Sequence, residues 1–127
     1  MGFRIDIKGN WNKFENWLKG NKSKDRDVRP ILEYYGQAGV DALMVATPVD
    51  TGLTAASWYY EITKLDGGWE LSWNNSNIQN GIPIAVLIQM GHATKAGGWV
   101  QGYDYINPAL RDVFNKFSIA VQKAYEE

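Results

Sequence analysis

The C-terminal stretch 107–125 constrains this chain most. In NPALRDVFNKFSIAVQKAY, Leu110, Val113, Phe114, Phe117, Ala120, Val121 and Ala124 recur at steps of three and four. That period gathers apolar side chains on one face of a helix. Asn107 suits its cap and Pro108 its first residue, because a proline there gives up an amide that has no partner in the helix. At 1.5 Å per residue the helix is about 30 Å long. A stripe of that length needs a broad apolar surface to lie on.

Strands supply it. Trp58, Tyr60 and Ile62 alternate with Tyr59, Glu61 and Thr63, and Trp69, Leu71 and Trp73 repeat the pattern after the turn signal Asp66-Gly67-Gly68. Two strands joined by a tight turn pair antiparallel. Phe3, Ile5 and Ile7 alternate in the same way and predict another strand. A helix is expected from about Trp11 to Lys19, with Asn10 as cap and Trp11, Phe14, Trp17 and Leu18 on one face. A longer one is expected from Val28 or Arg29 to Ala46, where Pro30 fits the first turn and Pro48 stops the helix. Inside it, Gly36 and Gly39 predict close approach of another backbone. Thr51 or Thr54 can cap a single turn over 54–57. Residues 74–81 read as a polar loop, 84–90 as a short helix, and 91–105 as a long glycine-rich loop. The expected fold is α+β: an antiparallel sheet of three to four strands, with two long helices and one or two short ones packed on it.

At 127 residues the chain fits a single domain, 1–127. It has no cysteine, which excludes disulfides and thiolate metal sites. MGFRIDIKGN has no continuous apolar core and no run approaches a membrane span, so neither ordinary secretion nor membrane insertion is expected. Residues 1–30 carry eight Lys and Arg against four Asp and Glu, whereas residues 31–127 carry five against ten. The basic half can face a phosphate or an acidic partner, or simply solvent.

Asp50-Thr51-Gly52 poses the sharpest chemical question, since retroviral-type aspartic proteases use this tripeptide. Their aspartate sits between buried strands of a nearly all-β dimer, and two carboxylates share a proton. Here the preceding segment reads as helix, Thr47-Pro48 stand before the tripeptide, and Leu53 follows it. The turn reading gives each residue a cause. Pro48 stops a helix, Asp50 and Thr51 bond nearby amides, and Gly52 takes positive φ without steric cost. His92 is the only histidine and has no metal-ligand spacing around it. No phosphate loop or nucleophile elbow occurs. The expectation is a protein that is not an enzyme, without cofactor or metal.

Two segments together carry a resemblance. TPVDTGLTAASW at 47–58 resembles the TPVDTG…L…SW signature of a bacteriophage neck family, the tail-completion or head–tail joining proteins of long-tailed phages and prophage particles. GHATKAGGWVQGYDYINPAL at 91–110 resembles that family's later glycine- and aromatic-rich stretch, which leads into its last helix. The likeness covers about residues 28–125. It departs at Leu53 and Thr54, where a basic residue is usual, at Gln89, often acidic, and at Ala93, often glycine. The resemblance implies a structural virion protein, made in the host cytoplasm and placed in the neck between head portal and tail. It implies a ring, a hexamer or a dodecamer, around DNA that passes without sequence specificity, with adjacent neck proteins and the tail terminator or tail tube as partners. The tail terminator itself is the alternative reading, and a protease dimer the distant one.

The candidate residues fall into three groups. Pro48, Asp50, Thr51, Gly52 and Trp58 form a structural turn. Gly91, His92, Gly97, Gly98, Trp99, Val100, Tyr103 and Tyr105 form a subunit or partner interface on a loop expected to be mobile, at about 91–103, until it meets its partner. Lys22, Lys24, Arg26 and Arg29 form a basic loop facing a channel or partner.

Overall fold

The structure, a computed structural model, describes residues 2–7, 13–17, 28–48, 52–66 and 68–126. In chain order the elements are strands β1 (Gly2–Ile7) and β2 (Lys13–Trp17), helices α1 (Val28–Ala46) and α2 (Gly52–Ala55), and strands β3 (Trp58–Leu65), β4 (Gly68–Asn75), β5 (Ile78–Gln79) and β6 (Ile82–Pro83). Helix α3 (Ile84–Met90), strands β7 (Gly91–Ala93) and β8 (Trp99–Gln101), and helix α4 (Ile106–Glu126) follow. The fold is α+β. None of its described helices is long and apolar enough to cross a membrane.

Four strands form the main sheet, in the order β2-β1-β4-β3. β3 and β4 pair antiparallel, with Tyr60 opposite Trp73 and Ile62 opposite Leu71, as the alternation predicts. The sheet is nonetheless mixed, because β1 runs parallel to β4. A parallel partner requires a long crossover, and the chain between β1 and β4 includes α1 and β3. The helix expected over 11–19 is contradicted: residues 13–17 pair antiparallel with β1, Phe14 opposite Ile5. Pairing satisfies the backbone groups on the edge of β1 away from β4, whereas a nine-residue helix is marginal by itself.

The face of β4 bearing Trp69, Leu71 and Trp73 carries the core, together with Leu32, Val40 and Leu43 of α1 and Leu110, Val113, Phe117 and Val121 of α4. Gly36 and Gly39 do permit close packing, but against aromatic side chains and not another backbone. A methyl group on Gly36 would lie 2.5 Å from the Tyr60 ring, and one on Gly39 would enter the Trp73 indole. Trp73 Nε1 donates to the Gly36 carbonyl at 2.9 Å, which fixes the indole beneath the helix. α4 crosses beside α1, with the Tyr35 and Phe117 rings edge to face at 5.8 Å.

Two small ribbons replace stretches expected to be loops. β5 and β6 pair across Asn80-Gly81, both at positive φ (53° and 78°). This is the geometry for which Asn-Gly is suited. β7 and β8 pair antiparallel, His92 opposite Val100.

Candidate functional site

The turn after α1 is built from buried hydrogen bonds. Thr47 is the last residue whose amide reaches back into the helix, donating to Leu43 O at 3.0 Å. Its hydroxyl donates to the same carbonyl at 2.6 Å and accepts the indole N–H of Trp58 at 2.9 Å. Thr47 and Trp58 are both buried, so this bond closes the segment at its two ends. Asp50 and Thr51 lie outside the described residues. Gly52 begins α2 without a positive φ, contrary to the expectation, and a side chain there would meet open space. At a helix start an ordinary helical φ suffices.

The opposite wall of this turn comes from asparagines that no periodicity marks. Asn75, buried at the end of β4, donates from Nδ2 to Thr54 O at 2.9 Å and accepts the Asn77 amide at 3.0 Å. Asn77 Nδ2 donates to Thr54 Oγ1 at 2.9 Å. The asparagine-rich segment is thus a clamp on α2. Its only trace in the sequence is the density of side-chain amides, groups that bond backbone readily.

The second site is the β7–β8 ribbon, which forms an arm. Thr94 shapes its tip: its amide donates to Gly98 O at 2.9 Å, its hydroxyl accepts the Gly98 amide at 2.9 Å, and Gly97 turns at φ 87°. At the base, Gly91 and Gly102 let two backbones cross. A Cβ on Gly91 would stand 2.5 Å from Val100 O, and one on Gly102 would stand 2.5 Å from Met90 C. The expected unstructured loop is therefore a paired ribbon with a glycine crossing at its root. Three strand residues per side are too few for alternation to announce it.

Gln89 anchors that root. Its Oε1 accepts the amides of Tyr105 and Ile106, both at 2.9 Å, and its Nε2 donates to Asp104 Oδ1 at 2.6 Å. α4 starts at Ile106, so Asn107 is not its cap. Gln89 supplies the acceptor from another element, while Asn107 Nδ2 donates to Asp104 Oδ1 at 3.0 Å. An acidic residue at 89 would accept the same amides, so glutamine retains that role and adds a donor to Asp104.

The arm residues separate into two kinds. Trp99, Val100 and Tyr103 are exposed (Trp99 62%, Tyr103 61%), and Gly97 and Gly98 stand at the exposed tip. Gly91 and Tyr105 are buried. Tyr105 was expected at an interface, but its hydroxyl donates to Ala85 O at 2.8 Å inside the core. Burial pushes its phenol well above the usual range, and the nearby Thr47 hydroxyl opposes this only in part. His92 is half-buried, with Nδ1 lacking a hydrogen-bond partner among the described residues. No described group of three His, Cys, Asp or Glu could hold a metal. Of the basic loop, Lys22, Lys24 and Arg26 lie outside the described residues. Arg29 sits in the first turn of α1, 3.3 Å from Glu33 and 5.8 Å from the centre of the Trp69 ring.

No family model matches the chain, and neither a curated protein nor a solved structure matches it.

Proposed function

We propose that this chain is a structural protein of the phage neck, acting in tail completion as one subunit of a ring around the DNA channel between portal and tail. The observation that carries the reading is the pairing of the two resemblance segments with their positions. Thr47 and Trp58, the two ends of the first segment, are joined by a buried hydrogen bond, and the glycine-rich segment is an arm with Trp99, Val100 and Tyr103 exposed. A two-stranded ribbon gains little stability by itself in water, and large exposed aromatics are typical of surfaces that become covered. The arm is the subunit or partner contact. Head-to-tail contacts of this kind close into rings when the rotation permits. The same reading has no catalytic step: the segment leading into Asp50-Thr51-Gly52 is helix α1, where a protease would have a strand.

The test is to locate the chain in imaged particles with a label on its N-terminus. Density at the head–tail junction, with free heads and free tails accumulating when the chain is missing, is the expected result. Particles that assemble and retain DNA without it would overturn the proposal. Asp50→Asn separates the protease: a neck protein keeps its assembly function if the variant folds, whereas a protease loses all cleavage.

A further inference from the structure

Helices α1 and α4 pack side by side, yet their outer faces differ. Among its described side chains α4 exposes Arg111, Asp112, Asn115, Lys116, Gln122 and Lys123, with Ile119 the one large apolar residue on that face. That is the face of a helix left in water. The outer face of α1 exposes Tyr34 (69%), Met44 and Val45 (87%), although its inner faces are already committed to the sheet and to α4. Tyr34, Gln37, Ala38 and Asp41 line a groove there of about 190 Å³. Ligand pockets run to roughly 300–1,000 Å³, so this groove suits one large side chain better than a small molecule. Its charge is a carboxylate: Asp41 accepts a hydrogen bond from Gln37 at 2.9 Å and remains exposed.

The arm has complementary properties. Over residues 91–103 its only formal charge is Lys95, which is exposed at the tip next to the Thr94–Gly98 turn, and Trp99 follows directly after that turn. The cation therefore stands at the tip, while Trp99 opens the returning strand with its ring reaching back along the arm toward Gly91 (3.0 Å from where a Cβ there would stand), so the two lie in line along the arm. The groove offers one apolar slot and one anion.

We propose that the arm of one copy docks on the outer face of α1 of the next, with Trp99 in the groove between Tyr34 and Ala38 and Lys95 beside Asp41. The contact is heterologous, so each copy offers an arm on one side and a groove on the other, as a closing ring requires. The inference rests on the ring reading and identifies the surface that receives the arm. Trp is a frequent energetic centre of interfaces. The Lys95–Asp41 pair sets direction and register more than strength.

Sedimentation of the full chain over a range of concentrations tests the contact. Wild type self-associates. Trp99→Ala raises the dissociation constant by at least about thirtyfold, as loss of an interface anchor does. Asp41→Lys and Lys95→Asp each raise it about tenfold by placing like charges together, and the double variant recovers most of the loss. All these positions are exposed, and circular dichroism confirms that each variant folds. Equal association of wild type and both single reversals would overturn the arm-in-groove contact and leave the ring reading standing. A wild type that stays monomeric at all accessible concentrations would overturn the arm-in-groove contact, while the place of the chain in the particle decides the ring reading separately.

Discussion

The two segments that carry the family resemblance are built in opposite ways. At Thr47, Thr54 and Trp58 the side chains are buried, and the hydrogen bonds there run to Leu43 O, between Thr47 and Trp58, and from Asn75 to Thr54 O. In the arm, the hydrogen bonds of the tip close on the arm itself, the root is tied to α3 by the Tyr103 amide donating to Ile88 O at 2.9 Å, and Trp99, Val100 and Tyr103 are exposed. Two short runs, one rich in threonine and the other in glycine and aromatics, thus mark two physical tasks. The turn holds the body together, whereas the arm is shaped in advance for something outside the body. The difference predicts that substitutions in the turn will change stability and those in the arm will change association, with little crossover.

Trp58→Ala is the strongest challenge to that division. It removes a buried indole and leaves the Thr47 hydroxyl without its donor. Such truncations cost about 3–5 kcal/mol, and thermal denaturation should show a fall in Tm on the order of 10 °C or more. Asn75→Ala comes next. Thr54 O and the Asn77 amide both lose a partner in a buried setting, at roughly 1–3 kcal/mol. Urea titration should show a lower midpoint with an unchanged slope. If either variant were as stable as wild type but failed to associate, the turn would be an assembly element and the comparison would collapse.

How far the sequence announced each region follows from the range of the interactions. α4 and the β3–β4 pair were legible because periodicity and the turn Asp66-Gly67-Gly68 are local. The extent of α1 was legible because Pro30 and Pro48 bracket it. Residues 13–17 were not, since Trp11, Phe14 and Trp17 fit a helical stripe, while the strand depends on a partner, β1. The parallel pairing of β1 with β4 is likewise non-local. Asn80-Gly81 did carry a readable hairpin signal, submerged in a segment that looked merely polar. The roles of Asn75, Asn77 and Gln89 were hidden for another reason: each bonds groups 15 to 23 residues away, or close to its own position, with no spacing that repeats. The arm's exposed aromatics were anticipated as interface residues, but Tyr105 was wrongly grouped with them, because composition does not distinguish a tyrosine at the root from one beyond it.

That root can be probed through pH. Burial holds the Tyr105 phenol neutral, so its folded-state pKa lies above the unfolded value of about 10. The folded state then binds the proton more tightly. The stabilisation is fully present below about pH 10 and declines as pH rises above it, by up to about 1.4 kcal/mol per pH unit. Tyr105→Phe loses the bond to Ala85 O, worth about 1 kcal/mol, and should flatten the alkaline limb in denaturation curves taken from pH 8 to 11. An unchanged limb would mean that the phenol ionises without opening the junction of α3, α1 and α4, and the root would be looser than its hydrogen bonds suggest.

Trp99→Ala has the smallest expected effect on stability, and it isolates the arm most cleanly. The indole is largely exposed and makes none of the hydrogen bonds that shape the tip, which come from Thr94, Gly97 and Gly98 backbone and the Thr94 hydroxyl. Surface substitutions away from packed or bonded features usually stay within about 0.5 kcal/mol, so the denaturation midpoint of the monomeric chain should barely move. Measured at a concentration where wild type is also monomeric, the two curves should superimpose, and they should separate only where wild type associates. A loss of about 2 kcal/mol or more at low concentration, beyond the ordinary surface range, would show that Trp99 is packed against its own body in solution. The arm would then belong with the turn, as part of what holds the fold.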